Sequence, residues 1–308
     1  MFVMQEILNK YQIRKTKKQK EKFIEYIKEK AKELNYNKIK IEQGGKIIKN
    51  KNIIIGDEKD AMLFLTAHYD TCAWSPVPNI MFPTNAILFV IYQLFILFYF
   101  LFFGFLVTLI CAFLFPNIDP LMCFELFICI IAFQMMFGFA NKHTANDNTS
   151  GVVTLLSIME KIPKEKRNKI CFVFFDNEEK GMWGSRLFYK NHRDYIDDKL
   201  LINFDCVGDG ENILFAASKK AINNSLYNDF KNSINEKHYS QNIIFEKIKL
   251  LLFPSDQVLF KTSVGVATLK KSKIIGLYAG KIHTLKDMVC QEDNINVLSD
   301  IIIKYIKS

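Results

Sequence analysis

The stretch Ala61–Asp70, AMLFLTAHYD, decides the fold. Its apolar run, Ala61–Thr66, has the length of a buried strand, and His68 and Asp70 follow at its carboxyl end. Two later segments repeat the arrangement: Lys169–Phe175 runs into Asp176-Asn-Glu-Glu179, and Leu200–Phe204 runs into Asp205-Cys206. In open α/β sheets, ligands and catalysts gather outside the carboxyl ends of the strands. Carboxylates and an imidazole converging there repel one another unless something cationic sits between them. The pattern therefore implies a metal centre.

Working outward, strands and helices alternate. Lys17–Leu34 carries apolar residues at helical spacing and reads as an amphipathic helix with a basic face suited to anionic lipid or plain solvent. Short β segments are expected at Lys38–Ile41, Lys46–Ile48 and Asn52–Ile55. Beyond residue 140, helices are expected at Gly151–Ile162, Trp183–Lys190, Ala221–Ile234 and Ile295–Ile306. Further strands are expected at Asn212–Ala217, Ile243–Ile248, Val266–Leu269 and Ile274–Tyr278. This alternation predicts an α/β fold, a three-layer αβα domain with a mixed central sheet.

One segment breaks the pattern. Thr71 through Ile118 contains no charged side chain, and Asn85–Phe115 is almost wholly Phe, Leu, Ile, Val and Tyr. As a helix it would run about 45 Å, more than the roughly 30 Å hydrocarbon core of a bilayer. After Pro116–Pro120 a second apolar run, Leu121–Ala140, is interrupted only by Glu125, placed near the far interface. The short connection predicts a transmembrane hairpin whose two ends emerge on one side. The expected division is a catalytic domain in two parts, 1–78 and 141–308, around a hairpin insertion, 79–140.

The hydrophobic share of 50% alongside 41 Lys+Arg and a formal charge of +9 reflects this segregation. Lysine is dense in Lys10–Lys40, which precedes the hairpin, and Lys142 follows it, so the charge bias predicts a cytoplasmic catalytic domain on an integral membrane protein. Met1–Ile13 lacks the basic start and continuous apolar run of a secretory leader. No nucleic-acid-reading module accompanies the basic charge, so a lipid bilayer is the expected partner and nucleic acid is not. The seven cysteines are scattered without CxxC spacing, as in reduced, buried cysteine. Cys206 could ligate a soft metal, but strand alternation sends it to the face opposite Asp205, which predicts core packing.

A dinuclear hydrolytic site needs a bridging carboxylate, terminal ligands for each ion and an open position for water. The candidate ligands are His68, Asp147, Glu179, Asp205 and His283, with Glu178 as the base. Glu178 and Glu179 are adjacent, so their side chains diverge: one can bind metal while the other hydrogen-bonds the attacking water. Asp70, two residues past His68, can orient its imidazole. His143, His192 and His238 lack acidic companions at strand ends and read as surface or packing residues.

With these stretches in order, AHYDT (Ala67–Thr71), ANDNTSG (Ala145–Gly151), FFDNEEKGMWGS (Phe174–Ser185), NFDCVG (Asn203–Gly208), SDQVLF (Ser255–Phe260) and IHTLKD (Ile282–Asp287), the chain resembles the co-catalytic dizinc aminopeptidase family. Relatives of that family include glutaminyl cyclases and some carboxypeptidases. The resemblance covers essentially the whole chain outside the hydrophobic insert. It implies two zinc ions, with cobalt or manganese as substitutes: His68 and Asp205 on the first, Glu179 and His283 on the second, Asp147 between them. It further implies Glu178 as general base, Asp70 as support for His68, and a cis peptide after Asp147. The implied reaction is removal of N-terminal residues from peptide substrates. A water loses its proton to Glu178, attacks the peptide carbonyl, and the proton passes to the departing amine.

Two positions depart from the family pattern. Ile282 stands where some members carry a tyrosine that stabilises the oxyanion, with Tyr278 nearby in sequence, and Gln257 stands where a serine-aspartate-histidine segment is usual. The hairpin enters between the HYD segment and the bridging aspartate, so both flanks start at the metal site. Apolar or membrane-proximal peptides are then the expected substrates, with simple tethering the alternative. The competing functions are a glutaminyl cyclase-like acyltransferase using one zinc, and a non-catalytic membrane scaffold. The sequence does not fix the oligomeric state.

Overall fold

The computed structural model describes residues 2–46, 48–234, 239–247 and 252–307. Ile47, Ile248 and His238, on which parts of the expectations above fall, lie outside them.

Three parallel strands form the centre: β3 (Leu63–His68) pairs with β5 (Ile170–Phe175) on one side and β6 (Leu200–Phe204) on the other. Outside β5 lies the antiparallel pair β2 (Asn50–Ile55) and β1 (Ile39–Gly44). Outside β6 the sheet continues through β9 (Ser263–Ser272), β10 (Gly276–Ile282) and the short β4 (Asn79–Met81), in the order β1-β2-β5-β3-β6-β9-β10-β4. The long β9 also pairs antiparallel with β7 (Asn212–Ala217), which carries β8 (Asn242–Lys247) in parallel. The ten-stranded sheet is mixed, as expected.

Strand alternation divides the core into two layers. Leu63, Leu65 and Ala67 of β3, Ile170, Phe172 and Phe174 of β5, and Leu200, Ile202 and Phe204 of β6 face one cluster. That cluster is closed by α2 (Lys17–Glu33), α5 (Gly151–Lys161), α8 (Ser225–Ser233) and α9 (Glu292–Lys307). The alternate residues Phe64, Cys171, Val173, Phe175 and Leu201 face the other layer with Phe188 and Ile196 of α6 (Trp183–Ile196). Each fully buried Phe contributes about 1.5–3 kcal/mol relative to exposure. Two short elements complete the chain order, α1 (Phe2–Lys10) and α7 (Lys219–Ile222). The single helix expected over 221–234 breaks between α7 and α8 because the Asn224 side chain caps a new start.

The apolar insert forms two helices, α3 (Ala86–Leu114) and α4 (Pro120–Phe137), each long and apolar enough to cross a membrane. Asn85 caps the first and Asp119 the second, with Pro120 at the first helical position. Gly104 is the only buried residue of α3, and α4 has none. The two helices meet there: a Cβ on Gly104 would lie 2.8 Å from the Phe124 ring and 3.1 Å from that of Phe127. Elsewhere large side chains such as Ile87, Phe98, Phe113 and Phe133 are mostly exposed.

The hairpin is fastened to the sheet at its root. Ala73 and Ala140 form an antiparallel bridge, Trp74 N donates to Phe139 O (2.8 Å), and Asn141 N donates to Cys72 O (3.1 Å). Residues 79–81, ahead of α3, form the edge strand β4 on β10, a strand the sequence patterns do not signal because it is only three residues long.

Gly184 fixes how α6 meets the end of β5. Its N–H donates to Asp176 O (2.8 Å), and a Cβ there would come within 2.2 Å of that oxygen and 2.5 Å of Asn52 Oδ1. Gly184→Ala is therefore expected to cost about 1–3 kcal/mol by overpacking and to displace the Asp176–Glu179 segment. The check is a lowered unfolding midpoint in detergent accompanied by a fall in catalytic rate.

Candidate metal centre

The same alternation that builds the core aims the candidate ligands. Thr66 and His68 on β3, and Asn203 and Asp205 at the end of β6, share parity with the α6 layer. Thr66 Oγ1 donates to Asn203 Oδ1 (2.8 Å) as a buried polar floor beneath the centre. The expected strand Ala61–Thr66 in fact runs Leu63–His68, so His68 is the strand's own last residue.

The structure brings all seven sequence-predicted residues to this one place. His68 Nε2 lies 3.3 Å from Asp147 Oδ1 and 3.7 Å from Asp205 Oδ1. His283 Nε2 lies 3.1 Å from Asp147 Oδ2 and 3.1 Å from Glu179 Oε2. Asp147 thus turns one carboxylate oxygen to each histidine. On the other side of His68, Nδ1 faces Asp70, 3.2 Å from its carbonyl oxygen and 3.6 Å from Oδ1. The other Asp70 contact is with the loop after β5: Glu178 N donates to Asp70 Oδ1 (3.0 Å).

The segment carrying Asp147 is shaped by an array of hydrogen bonds. Its peptide bond to Asn148 is cis. Asn146 N and Asp147 N donate to the two carboxylate oxygens of Asp287 (2.7 and 3.0 Å). The Asn148 side chain bridges to the β6 exit, donating to Phe204 O (2.9 Å) and accepting from Gly151 N (3.0 Å). Asn146 Oδ1 accepts from Gly208 N (2.7 Å). Both asparagines and Asp287 fall inside the quoted motifs, yet nothing in their spacing tells that their work is to hold backbone.

The electrostatics call for a cation. Burial opposes an imidazolium at His68, yet Asp147, Asp205 and Asp70 together drive its pKa well above the ordinary value. His283 behaves likewise, raised against burial by Glu179, Cys72 and Asp147. Burial pushes Glu178 well up, with Glu179, Asp256 and Asp205 adding to the rise and His68 opposing it. Burial also lifts Asp287 to about 8. Among the described residues, Glu179 Oε1 and both oxygens of Asp256 are buried with no hydrogen-bond partner, an expensive arrangement unless a positive ion is nearby. Two imidazole nitrogens and several carboxylate oxygens are the donor types that hold zinc. The residues fit such ions.

Two cysteines also face the cluster. The ligand atoms of Cys72, Glu179 and His283 all lie within 4.8 Å of one another, as do those of Asp147, Asp205 and Cys206. The expectation that Cys206 packs away from Asp205 presumed a continuing strand. Cys206 instead stands just past β6 with φ of 58°, which ends the alternation.

Gln257, Ile282 and Tyr278 clarify the departures from the family pattern. Gln257 replaces histidine without leaving a gap: Oε1 accepts from Asn203 Nδ2 (2.8 Å) and Nε2 donates to Phe253 O (3.1 Å). Ile282 is buried at the end of β10, and Tyr278 lies four residues earlier on that strand, opposite Lys270. His192 has the acidic partner the sequence does not reveal. Its Nε2 lies 2.9 Å from Glu42 Oε1, within the sheet–α6 packing.

The chain belongs to peptidase family M28, whose family model matches residues 134–306. Among solved structures, the chain is similar to the LapA aminopeptidase of Legionella pneumophila, with a TM-score of 0.57 and 14% identity over 99% of this chain and 68% of that one. It is also similar to the glutaminyl cyclases of Macrostomum lignano (TM-score 0.56, 12% identity, 98% and 87% covered) and Fimbriiglobus ruber (0.55, 14%, 99% and 92%). At these identities the likeness establishes a shared fold. Comparison with curated protein sequences gives no significant match.

Arg14 is the functional neighbour that sequence reasoning missed. It is one of four arginines in the chain, set in a lysine-rich stretch with no motif around it. Fully buried, it donates from Nε to Tyr69 O and from one terminal nitrogen to Tyr11 O (2.8 Å) and Thr149 Oγ1 (3.2 Å). It ties the His68–Asp70 segment to the Asp147 segment, and burial lowers its pKa to about 10 against the pull of Asp70 and Asp147. Arg14→Met is expected to cost at least about 3 kcal/mol, because charged hydrogen bonds are lost and buried acceptors left unpaired. Arg14→Lys should recover less than half of that, since an ammonium cannot span three acceptors in a planar fork. Denaturant midpoints of the two variants measure both effects.

Proposed function

We propose that this chain is a zinc-dependent aminopeptidase held at a membrane surface by the α3–α4 hairpin, cleaving N-terminal residues from apolar or membrane-proximal peptides. The observation that carries the reading is the Asp147 carboxylate, with one oxygen toward His68 and the other toward His283. A carboxylate so placed is suited to bridge two ions. His68 and Asp205 would hold one zinc and Glu179 and His283 the other, which leaves Glu178 free as the base.

When bound, zinc lowers the pKa of water and polarises the scissile carbonyl. The chain's own residues do the rest. Asp70 orients the His68 ring through Nδ1 and, by accepting from Glu178 N, fixes where the base begins. The half-buried Glu178, its pKa raised by desolvation and by the acids around it, takes the proton from the attacking water. It then hands the proton to the departing amine. The floor formed by Thr66, Asn203, Ser255 and Gln257 keeps the surrounding strand ends in register.

Glu178→Gln should lower kcat by about 10²–10⁴-fold while elemental analysis still finds two zinc ions per chain. Undiminished turnover in that variant contradicts the assignment of the base. One zinc per chain together with cyclisation of N-terminal glutamine would instead favour the glutaminyl cyclase-like reaction. Cleavage of free but not N-blocked peptides is the expected signature of an exopeptidase.

The substrate reading rests on the hairpin's root, which joins the domain at Ala73–Ala140 and, through β4, beside His283. Replacing residues 83–139 by a short loop is expected to lower turnover of long apolar peptides in vesicles by at least about tenfold relative to short soluble ones. An unchanged ratio of the two would reduce the hairpin to a tether.

A further inference from the structure

The α2 end of the domain holds a cavity of about 370 Å³ lined by Lys15, Lys17, Lys20, Lys49, Lys51 and Lys180. None of the residues assigned to the metal centre lines it. Two carboxylates, Glu21 and Asp176, share its wall, and both are already engaged. Asp176 accepts from Lys20 Nζ (2.5 Å) and from Lys51 N (3.0 Å), and Glu21 accepts from Lys51 Nζ (3.1 Å). Lys15, Lys17, Lys49 and Lys180 have no carboxylate partner among the described residues. Six lysines against two carboxylates around one concavity leave an excess of positive charge, which favours an anion there. The cavity also adjoins the first turn of α2, whose helix dipole adds to the positive field, with Thr16 as N-cap.

The position narrows the choice of anion. Lys15 Nζ donates to Met136 O (3.0 Å) in the last turn of α4, and Lys180 Nζ lies 5.7 Å from the centre of the Phe137 ring. Two of the lysines therefore touch the point where the apolar hairpin rejoins the domain. If the hairpin crosses a bilayer, the cavity stands at the level of the lipid headgroups, where basic side chains attract anionic lipids. Its volume falls within the range of small-ligand sites, about 300–1,000 Å³.

We propose that this cavity binds the phosphate-bearing headgroup of an anionic phospholipid. The assignment rests on the membrane reading given above, and it adds a specific seat to general attraction by a basic surface. A headgroup there lies against Asp176 and Asn177, the residues immediately before Glu178. The shared chemistry is a phosphate ester, which a lipid or a soluble metabolite can supply, and the test separates the two.

The full chain in neutral detergent is titrated calorimetrically with dihexanoyl phosphatidylglycerol, dihexanoyl phosphatidylcholine and glycerol 3-phosphate. Phosphatidylglycerol should bind at one site per chain, at least about tenfold tighter than phosphatidylcholine. Lys17→Gln/Lys49→Gln, both at exposed positions, should weaken it by about tenfold or more, from roughly 1 kcal/mol per basic residue near a lipid surface. Lys22→Gln/Lys32→Gln, both exposed on α2 and with the same change in charge but outside the cavity, should leave it unchanged. Equal loss in both double variants, or equal binding of the two lipids, overturns the proposal. Glycerol 3-phosphate binding as tightly as phosphatidylglycerol overturns the lipid assignment in favour of a soluble ester. Alkaline carbonate extraction tests the membrane reading separately: release of the chain would end that reading even where the headgroup selectivity holds.

Discussion

Everything near the carboxyl ends of the central strands is arranged around one electrostatic problem. Asp70, Asp147, Glu178, Glu179, Asp205 and Asp256 share a small, largely buried volume with two histidines. Such a set cannot be fully ionised in a protein interior without compensating positive charge. Arg14 supplies some of it from behind, through the backbone of Tyr69 and the hydroxyl of Thr149. Lys20 neutralises Asp176 at the edge of the loop. The remaining demand, centred on Asp147, is of the kind that zinc would answer.

The fold was legible because the core strands carry no mixed message. Ile170–Phe175 is apolar on both faces, and Leu200–Phe204 is so except for Asn203 at its end, as strands covered by helices on each side must largely be. The acids that end such runs stand out against them. Strand parity then carries His68 and Asp205 to the same face. What could not be read were contacts made by residues whose types are common and whose partners are distant. Arg14 and Thr149 lie 135 positions apart, and Asp287 meets Asn146 from 141 positions away. Pattern and spacing are local signals, and these partnerships exist only once the sheet has closed. Cys206 marks a different limit: strand periodicity loses its force at the first residue with positive φ.

The hairpin and the centre are mechanically one unit. The bridge at Ala73–Ala140 begins within a few residues of His68, and Asn141 continues the connection by donating to Thr284 O, next to His283. Ser75 N donates to His283 O (2.9 Å) from the same root. A movement of the two apolar helices relative to the sheet would therefore reach His283, just past β10. Gln134, near the end of α4, adds a further strut by donating to Trp74 O (3.1 Å).

The order of the strands along the chain has a consequence for biosynthesis. β3 leaves the ribosome before the apolar hairpin, but both of its neighbours, β5 and β6, lie more than a hundred residues downstream. β2 pairs inward with β5 and has only β1 for company until then. The first seventy residues thus cannot complete their sheet while the two apolar helices are being made. Whatever receives those helices also holds an unfinished half-domain beside it, strand edges open, until the second half arrives.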